Sequence, residues 1–394
     1  MLKRHITVGD IQLNRQAKIY LNRIIKSNRL TYGPFTRKLE QEFAKLHHRR
    51  WAIFTSSGTG ALLAGLATLK ELYHWPDGSE VLVPAISFVS TANIVYQLRL
   101  TPVFVDVDSL TYNLDPNQLP RRLTPKTRAI IPVHVLGLPA DMISILAFAK
   151  KHHLKVLEDS CDTMFVGINR RPVGSFGDLA AFSTYVAHLL PTGVGGFLVG
   201  DSPKMEAVAR SYIFHGRHHS YLSIDDDNAA KLKSALKNRF RFDRIGFHFR
   251  LTELEAAIGL SQLENNQAIK LIKKRQALAK RLIKLLAPLK FKLQLPYIPQ
   301  GFEHAFMMFP LVLKDPRIKK WDLIMFLEKN GIETRELLPL LNQPAYRRVF
   351  KVNPKNYPHA DKINRRGFYF GCHQGMNFTD IKYLAGKLYE FFSK

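Results

Sequence analysis

Cysteine is nearly missing from this chain. Cys161 and Cys372 are the only two in 394 residues, which excludes a disulfide framework and any four-thiolate zinc or iron–sulfur centre. A single bridge between them would require an oxidising compartment. No run of about 18 uninterrupted apolar residues occurs, so no membrane-spanning helix is expected. No charged-then-apolar leader is visible either, and the expectation is a cytoplasmic protein. Internal repeats and low-complexity segments are absent, and no His/Cys/Asp/Glu spacing suggests a metal site. Acidic residues are few, 32 against 58 Lys and Arg, giving a net charge of +26. One further absence is local: no lysine lies between Asp178 and Asp201, in a chain otherwise crowded with them.

What is present is an ordinary globular composition, 46% hydrophobic and 23% charged, in a length that suits two sizeable cores. Short β-branched runs alternate with helical spacing between residues 50 and 200. EVLVP (80–84), TPVFVDV (101–107), RAIIPVHV (128–135) and LKVLED (154–159) read as strands buried on both faces. SFVSTANIVYQL (87–98) and ADMISILAFAKKHH (140–153) read as the intervening helices, and DLAAFST (178–184) and GFLVG (196–200) as two more strands. This βαβ series predicts an α/β fold with a mostly parallel sheet. Residues 203–250 look irregular. A long basic helix over 252–286, stopped by Pro288, then leads into a strand at 305–313 and helices at 319–331 and 379–394. The expected division is a large α/β domain, 1–250, and a smaller C-terminal α+β domain, 251–394.

The positive charge admits nucleic-acid binding, attraction to an anionic membrane, or a phosphorylated substrate. It is spread along the chain with no helix-turn-helix, RRM or zinc-finger pattern to focus it, so nucleic acid is not the expected partner. The leucine stripe of the basic helix, Leu271, Leu278, Leu282 and Leu286, could lie on a membrane; such stripes more often pack on their own protein. His47, His48, His152, His153, His218 and His219 fall in basic or polar stretches and read as solvated.

Three segments carry candidate chemistry. TSSGTGALLAGLATL (55–69) puts small polar residues and glycines ahead of a helix, where free N–H groups and the hydroxyls of Ser57 and Thr59 suit a phosphate. LEDSCD (157–162) ends a hydrophobic strand with carboxylates at the sheet edge where α/β proteins place ligands. STYVAHLLPTGVGG (183–196) runs from a strand end through His188 to a glycine cluster. Each segment alone also fits ordinary capping and turn roles.

In their order, with RLTYGPFTRKLEQEFA (29–44), GSFGDLAAFS (174–183), FRLTELEAAIGLSQLE (249–264) and GIETRELLPLLNQPAY (331–346), these segments make nearly the whole chain resemble the sugar-aminotransferase-like (DegT/DnrJ/StrS type) branch of the fold-type I pyridoxal-phosphate enzymes. The resemblance implies a mostly parallel seven-stranded sheet, and it gives roles position by position. Ser57, Gly58, Thr59 and Ser183 would hold the cofactor phosphate. Phe88, where the closest subgroup has tryptophan, would stack on the pyridine ring. Asp159 would pair with the pyridinium nitrogen, and Asp162 lies near the place of the ring hydroxyl. His248 stands where a neighbouring subunit lends an asparagine to the phosphate, and Val194 where the family often has an acid.

His188 occupies the position of the lysine that bonds the cofactor aldehyde, and imidazole has no primary amine to do so. One subgroup is similar in this respect: the B6-dependent 3-dehydratases of nucleotide-linked 4-keto-6-deoxyhexoses, and FGCHQGM (370–376) also resembles GDP-4-keto-6-deoxy-mannose 3-dehydratase. The resemblance then implies pyridoxal or pyridoxamine phosphate held without a covalent link and condensation of the amine with the C4 ketone. His188 would act as the base that leads to loss of the C3 hydroxyl, with His215 a candidate second acid or substrate contact. Free imidazole, with a pKa of about 6.5, is a competent base near neutral pH. The product would be a 3,6-dideoxy-4-keto sugar for bacterial surface polysaccharide, with ammonia released and L-glutamate restoring the amine. A related dehydrase couples this chemistry to an iron–sulfur cluster, which two cysteines cannot supply. A homodimer completing each pocket from its second chain is expected. The alternatives are a nucleotide-sugar aminotransferase using a distant lysine, and a degenerate enzyme that only binds.

Overall fold

The computed structural model describes residues 5–218, 236–238 and 240–393; His219 lies outside them. Seven strands form the main sheet: β1 Trp51–Thr55, β2 Glu80–Pro84, β3 Thr101–Val105, β4 Thr127–Ile130, β5 Lys155–Asp159, β6 Leu179–Ser183 and β7 Gly196–Gly200. They are ordered β1-β7-β6-β5-β4-β2-β3. β7 is antiparallel to both neighbours, and the pairings from β6 across to β3 are parallel. This is the α/β architecture with a mostly parallel seven-stranded sheet that the resemblance implied.

The strands are short because their residues are apolar on both faces and stop where polar turn residues begin; β1, β6 and β7 are buried at every position. The helix Gly58–Leu72 follows β1 and is buried at each residue from Gly60 to Leu69. Leu62, Leu66 and Leu69 have no exposure at all, and each such side chain contributes about 1.5–3 kcal/mol. That burial fixes the position of the helix start, where the phosphate-type residues lie.

A second, antiparallel sheet runs Leu293–Gln294, Met308–Leu313, Gly367–Gly371, Thr334–Glu336. The helices Gln267–Leu286 and Phe378–Phe392 pack with it in a separate apolar cluster that Ile6 joins from the other end of the chain. The segment after Ile6 stays with this sheet. Ile6 bridges to Ile332, and the Val8 amide donates to Glu333 Oε2 at 2.8 Å.

Three sequence expectations need correction. Residues 203–213 are helical, Pro203–Ile213, capped by Ser202, whose hydroxyl accepts from the Met205 amide. The long basic helix is two helices, Glu253–Leu263 and Gln267–Leu286, because Asn265 and Asn266 adopt φ of 54° and 57° and break the hydrogen-bond ladder while the apolar spacing continues. Its apolar side packs inward on Ile272, Leu278, Leu282 and Leu286, while Leu271 is only half-buried, and no helix among the described residues is long and apolar enough to cross a membrane. His47 is fully buried; its Nδ1 lies 2.9 Å from the Val173 carbonyl, and burial pushes its pKa down to about 4.

Candidate active site

Three chain segments meet at the carboxyl ends of β5 and β6. Ser57 caps the Gly58–Leu72 helix in extended conformation, its Oγ accepting from the Gly60 amide at 3.0 Å. Gly58 stands so close to the next two strand ends that a Cβ there would lie 2.6 Å from Cys161 Sγ and 2.9 Å from Ser183 Cβ. The absence of a side chain is therefore what lets the helix start, Ser183 and the Cys161 turn share one small space. Ser183 is buried and Thr59 exposed. The unsatisfied first amides of a helix with hydroxyls beside them suit a phosphate dianion.

Asp159 closes β5 in the interior, 3% exposed. Thr91 donates its hydroxyl to Oδ2 at 2.8 Å, and the Cys161 amide donates to Oδ1 at 3.2 Å. Among the described ion pairs it has no cationic partner, and burial holds its pKa above the ordinary 3.8. An isolated buried carboxylate is costly. A cationic ring nitrogen at this position would relieve that cost, so the residues present fit a pyridoxal-type cofactor. Phe88 is 62% exposed as a residue, and an accessible aromatic ring of this kind suits stacking.

His188 sits in a loop that closes on itself. The Thr184 amide donates to the Gly195 carbonyl, the Thr192 amide to the Thr184 carbonyl, both at 2.9 Å, and the two threonine hydroxyls lie 2.7 Å apart. Leu189 and Leu190 are buried beneath the loop. Nε2 of His188 is 3.7 Å from Asp162 Oδ1, while Nδ1 is buried with no hydrogen-bond partner. Asp162 in turn accepts from the Leu136 amide at 3.3 Å, a residue held at φ 53°.

The structure thus brings Ser57, Gly58 and Ser183 together, and separately pairs Asp162 with His188. His215 and His248 form a different pair, ring centroids 4.6 Å apart beside the Phe214–His248 bridge. Burial and then the Arg250 charge lower the pKa of His248. Among the described residues no hydrogen bond or ring contact joins either to His188. Val194 is half exposed in the loop.

Sequence reasoning missed several residues. Thr91 lies three positions after Phe88, as a hydroxyl at the start of the Ser90–Gln97 helix; its signal was only that spacing. Gly9 packs against the loop from the chain's start, where a Cβ would come 2.5 Å from Ala187 Cα, and nothing in the local sequence announced it. No cluster of metal-ligating residues exists among the described residues.

The chain is similar to known proteins over most of its length. The chain is 28% identical over 364 residues to GDP-4-keto-6-deoxy-D-mannose 3-dehydratase of Yersinia pseudotuberculosis, with 90% of each chain covered. It is 27% identical over 392 residues to GDP-perosamine synthase of Escherichia coli O157:H7, with 99% of each covered. The solved E. coli GDP-4-keto-6-deoxy-D-mannose 3-dehydratase with bound hydrated PLP superposes with a TM-score of 0.87 at 25% identity, covering 98% of this chain and all of that one. The model of the DegT/DnrJ/EryC1/StrS aminotransferase family matches residues 12–389. The chain belongs to that family.

Proposed function

We propose that the protein is a B6-dependent 3-dehydratase of a nucleotide-linked 4-keto-6-deoxyhexose, working as a homodimer with non-covalently held pyridoxamine or pyridoxal phosphate and with L-glutamate as amine source. The observation that carries this reading is His188: an imidazole in a closed, lysine-free loop, with one nitrogen beside a carboxylate and the other buried and unpartnered.

The chemistry required of the cofactor is an amine for the C4 ketone and a protonated ring that accepts electrons. Ser57, Ser183 and the first amides of the Gly58–Leu72 helix bind its phosphate. Asp159, aligned by Thr91 and the Cys161 amide, keeps the ring nitrogen protonated, because an opposite charge favours the charged form. Phe88 covers one face and excludes water from it. Asp162, its Oδ1 3.7 Å from Nε2, would orient the His188 imidazole, and that imidazole would take the proton whose removal drives out the C3 hydroxyl. His215 and His248, exposed together, serve a pocket completed by the second subunit.

The test is incubation of purified protein with pyridoxal phosphate, glutamate and a panel of nucleotide-4-keto-6-deoxyhexoses, following ammonia and sugar products. A 3-deoxy sugar with equimolar ammonia is expected. An amino sugar formed without ammonia would replace this reading with aminotransfer, and cofactor retention without turnover would replace it with a binding protein.

A further inference from the structure

Phe88 also lines a cavity of about 540 Å³ between the main sheet and the second one. Tyr369 lies in it too. Burial, and after it the charge of Asp162, pushes the Tyr369 phenol up to about 12. Arg335, the cross-strand partner of Tyr369, lies on the same sheet with Glu336, and Trp321 also lines the cavity. Of the chain's three tryptophans, Trp51 and Trp75 are 5% and 7% exposed, whereas Trp321 is 56% exposed. It is held in place: the Nζ of the buried Lys320 lies 5.2 Å from the Trp321 ring centroid. The same ammonium donates to Glu336 Oε1 at 2.6 Å and to the Asn364 carbonyl at 2.8 Å. One buried lysine thus fixes an open indole and a carboxylate side by side, in a cavity that reaches the cofactor-ring residue.

We infer that the nucleobase of the substrate stacks on Trp321 and that Glu336 reads its edge, selecting guanine. This rests on the nucleotide-sugar reading above. An indole gives a base a large flat apolar face, and stacking alone tolerates any base. The carboxylate supplies the choice. Guanine presents two adjacent donors, N1–H and N2–H, to the Glu336 oxygen that Lys320 leaves open. Adenine and cytosine set an acceptor nitrogen beside their single amino group, and uracil and thymine flank one N–H with two carbonyls. Each of these puts a lone pair against the carboxylate, a penalty for an unmatched polar contact. Arg335, half exposed in the same cavity and already paired with Glu333, supplies a cation for the diphosphate.

The test is binding of GDP, ADP, UDP, CDP and dTDP to the full chain loaded with pyridoxal phosphate, by tryptophan fluorescence and calorimetry. GDP is expected to quench the exposed tryptophan and to bind at least about tenfold more tightly than the others. Trp321→Ala weakens every nucleotide by roughly tenfold or more. Trp321→Phe keeps the binding and removes the quench, which separates stacking from misfolding. Glu336→Gln flattens the preference by weakening GDP alone. Tight GDP binding unaffected by Trp321→Ala, or a base preference unchanged in Glu336→Gln, overturns the inference while leaving the nucleotide-sugar reading intact. If no diphosphate binds and no nucleotide sugar is turned over while the cofactor is retained, both fall.

Discussion

Glu158 and Asp159 are adjacent on β5, point to opposite sides of it, and are both buried, yet their surroundings differ completely. Glu158 lies in a saturated network. The Gly174, Phe176 and Gly177 amides donate to it at 2.8, 2.7 and 2.6 Å, His134 Nε2 is 3.1 Å away, and the Arg49 guanidinium 3.6 Å. Burial pushes its pKa up, but the His134 bond and the Arg49 charge outweigh that and hold it below the ordinary value. Asp159 has the Thr91 hydroxyl and the amide and thiol of Cys161 as donors but no cation, and burial prevails. The same strand thus carries one carboxylate completed by the protein and one left for a cationic ligand, which separates a structural charge from a functional one by partners rather than by burial.

The sharpest way to break this contrast is Asp159→Asn. Pyridoxal phosphate affinity should fall by roughly two to three orders of magnitude, the cost of removing one partner of a buried ion pair, while the cofactor-free protein unfolds at an unchanged or slightly higher denaturant concentration. Absorbance titration and urea unfolding read the two effects. Glu158→Gln should do the reverse, costing about 1–3 kcal/mol of stability because its NH2 group would face the amide donors that the carboxylate now satisfies, while Arg49 keeps Asp201 at 2.6 Å, with cofactor affinity of the folded fraction near wild type. If both substitutions moved the same observable, the distinction would be wrong. Thr91→Val removes a hydrogen bond to a charged group, worth about 1.5–3 kcal/mol. It should weaken cofactor binding roughly 10- to 100-fold at most, without altering unfolding by more than about 1 kcal/mol.

The smallest effect is in pH dependence, and its signs oppose. The folded pKa of Asp159 is raised above 3.8, so in the cofactor-free protein its contribution is full below 3.8 and is lost as pH rises through the folded value. The folded pKa of Glu158 is lowered below 4.5, so its contribution is present above 4.5 and is lost as pH falls through the folded value. Unfolding free energy measured from pH 3 to 6, with and without Asp159→Asn, should show the first dependence vanish and the second persist.

Much of this arrangement could be read in the amino acids. EVLVP and GFLVG are strands over the same residues in the structure, because each is an apolar run cut off by turn-forming neighbours. The phosphate-type helix start and the lysine-free loop also stood out locally. The helix Pro203–Ile213 did not, although Ser202 and Pro203 are start signals for it, and the break at Asn265–Asn266 was hidden by apolar spacing that carries on through it. The pairs that define the site were least visible. Asp159 with Thr91, Glu158 with Arg49 and Gly9 with Ala187 are separated by 68, 109 and 178 positions respectively, and only the folded sheet brings them together.

The most direct test is the intact mass of pyridoxal-phosphate-loaded protein after borohydride reduction and denaturation. An unmodified mass is expected for the wild type, and one reduced cofactor per chain for His188→Lys. A cofactor-sized mass gain on the wild type, mapped to any lysine, would contradict the assignment of His188 as the residue that faces an unbonded cofactor.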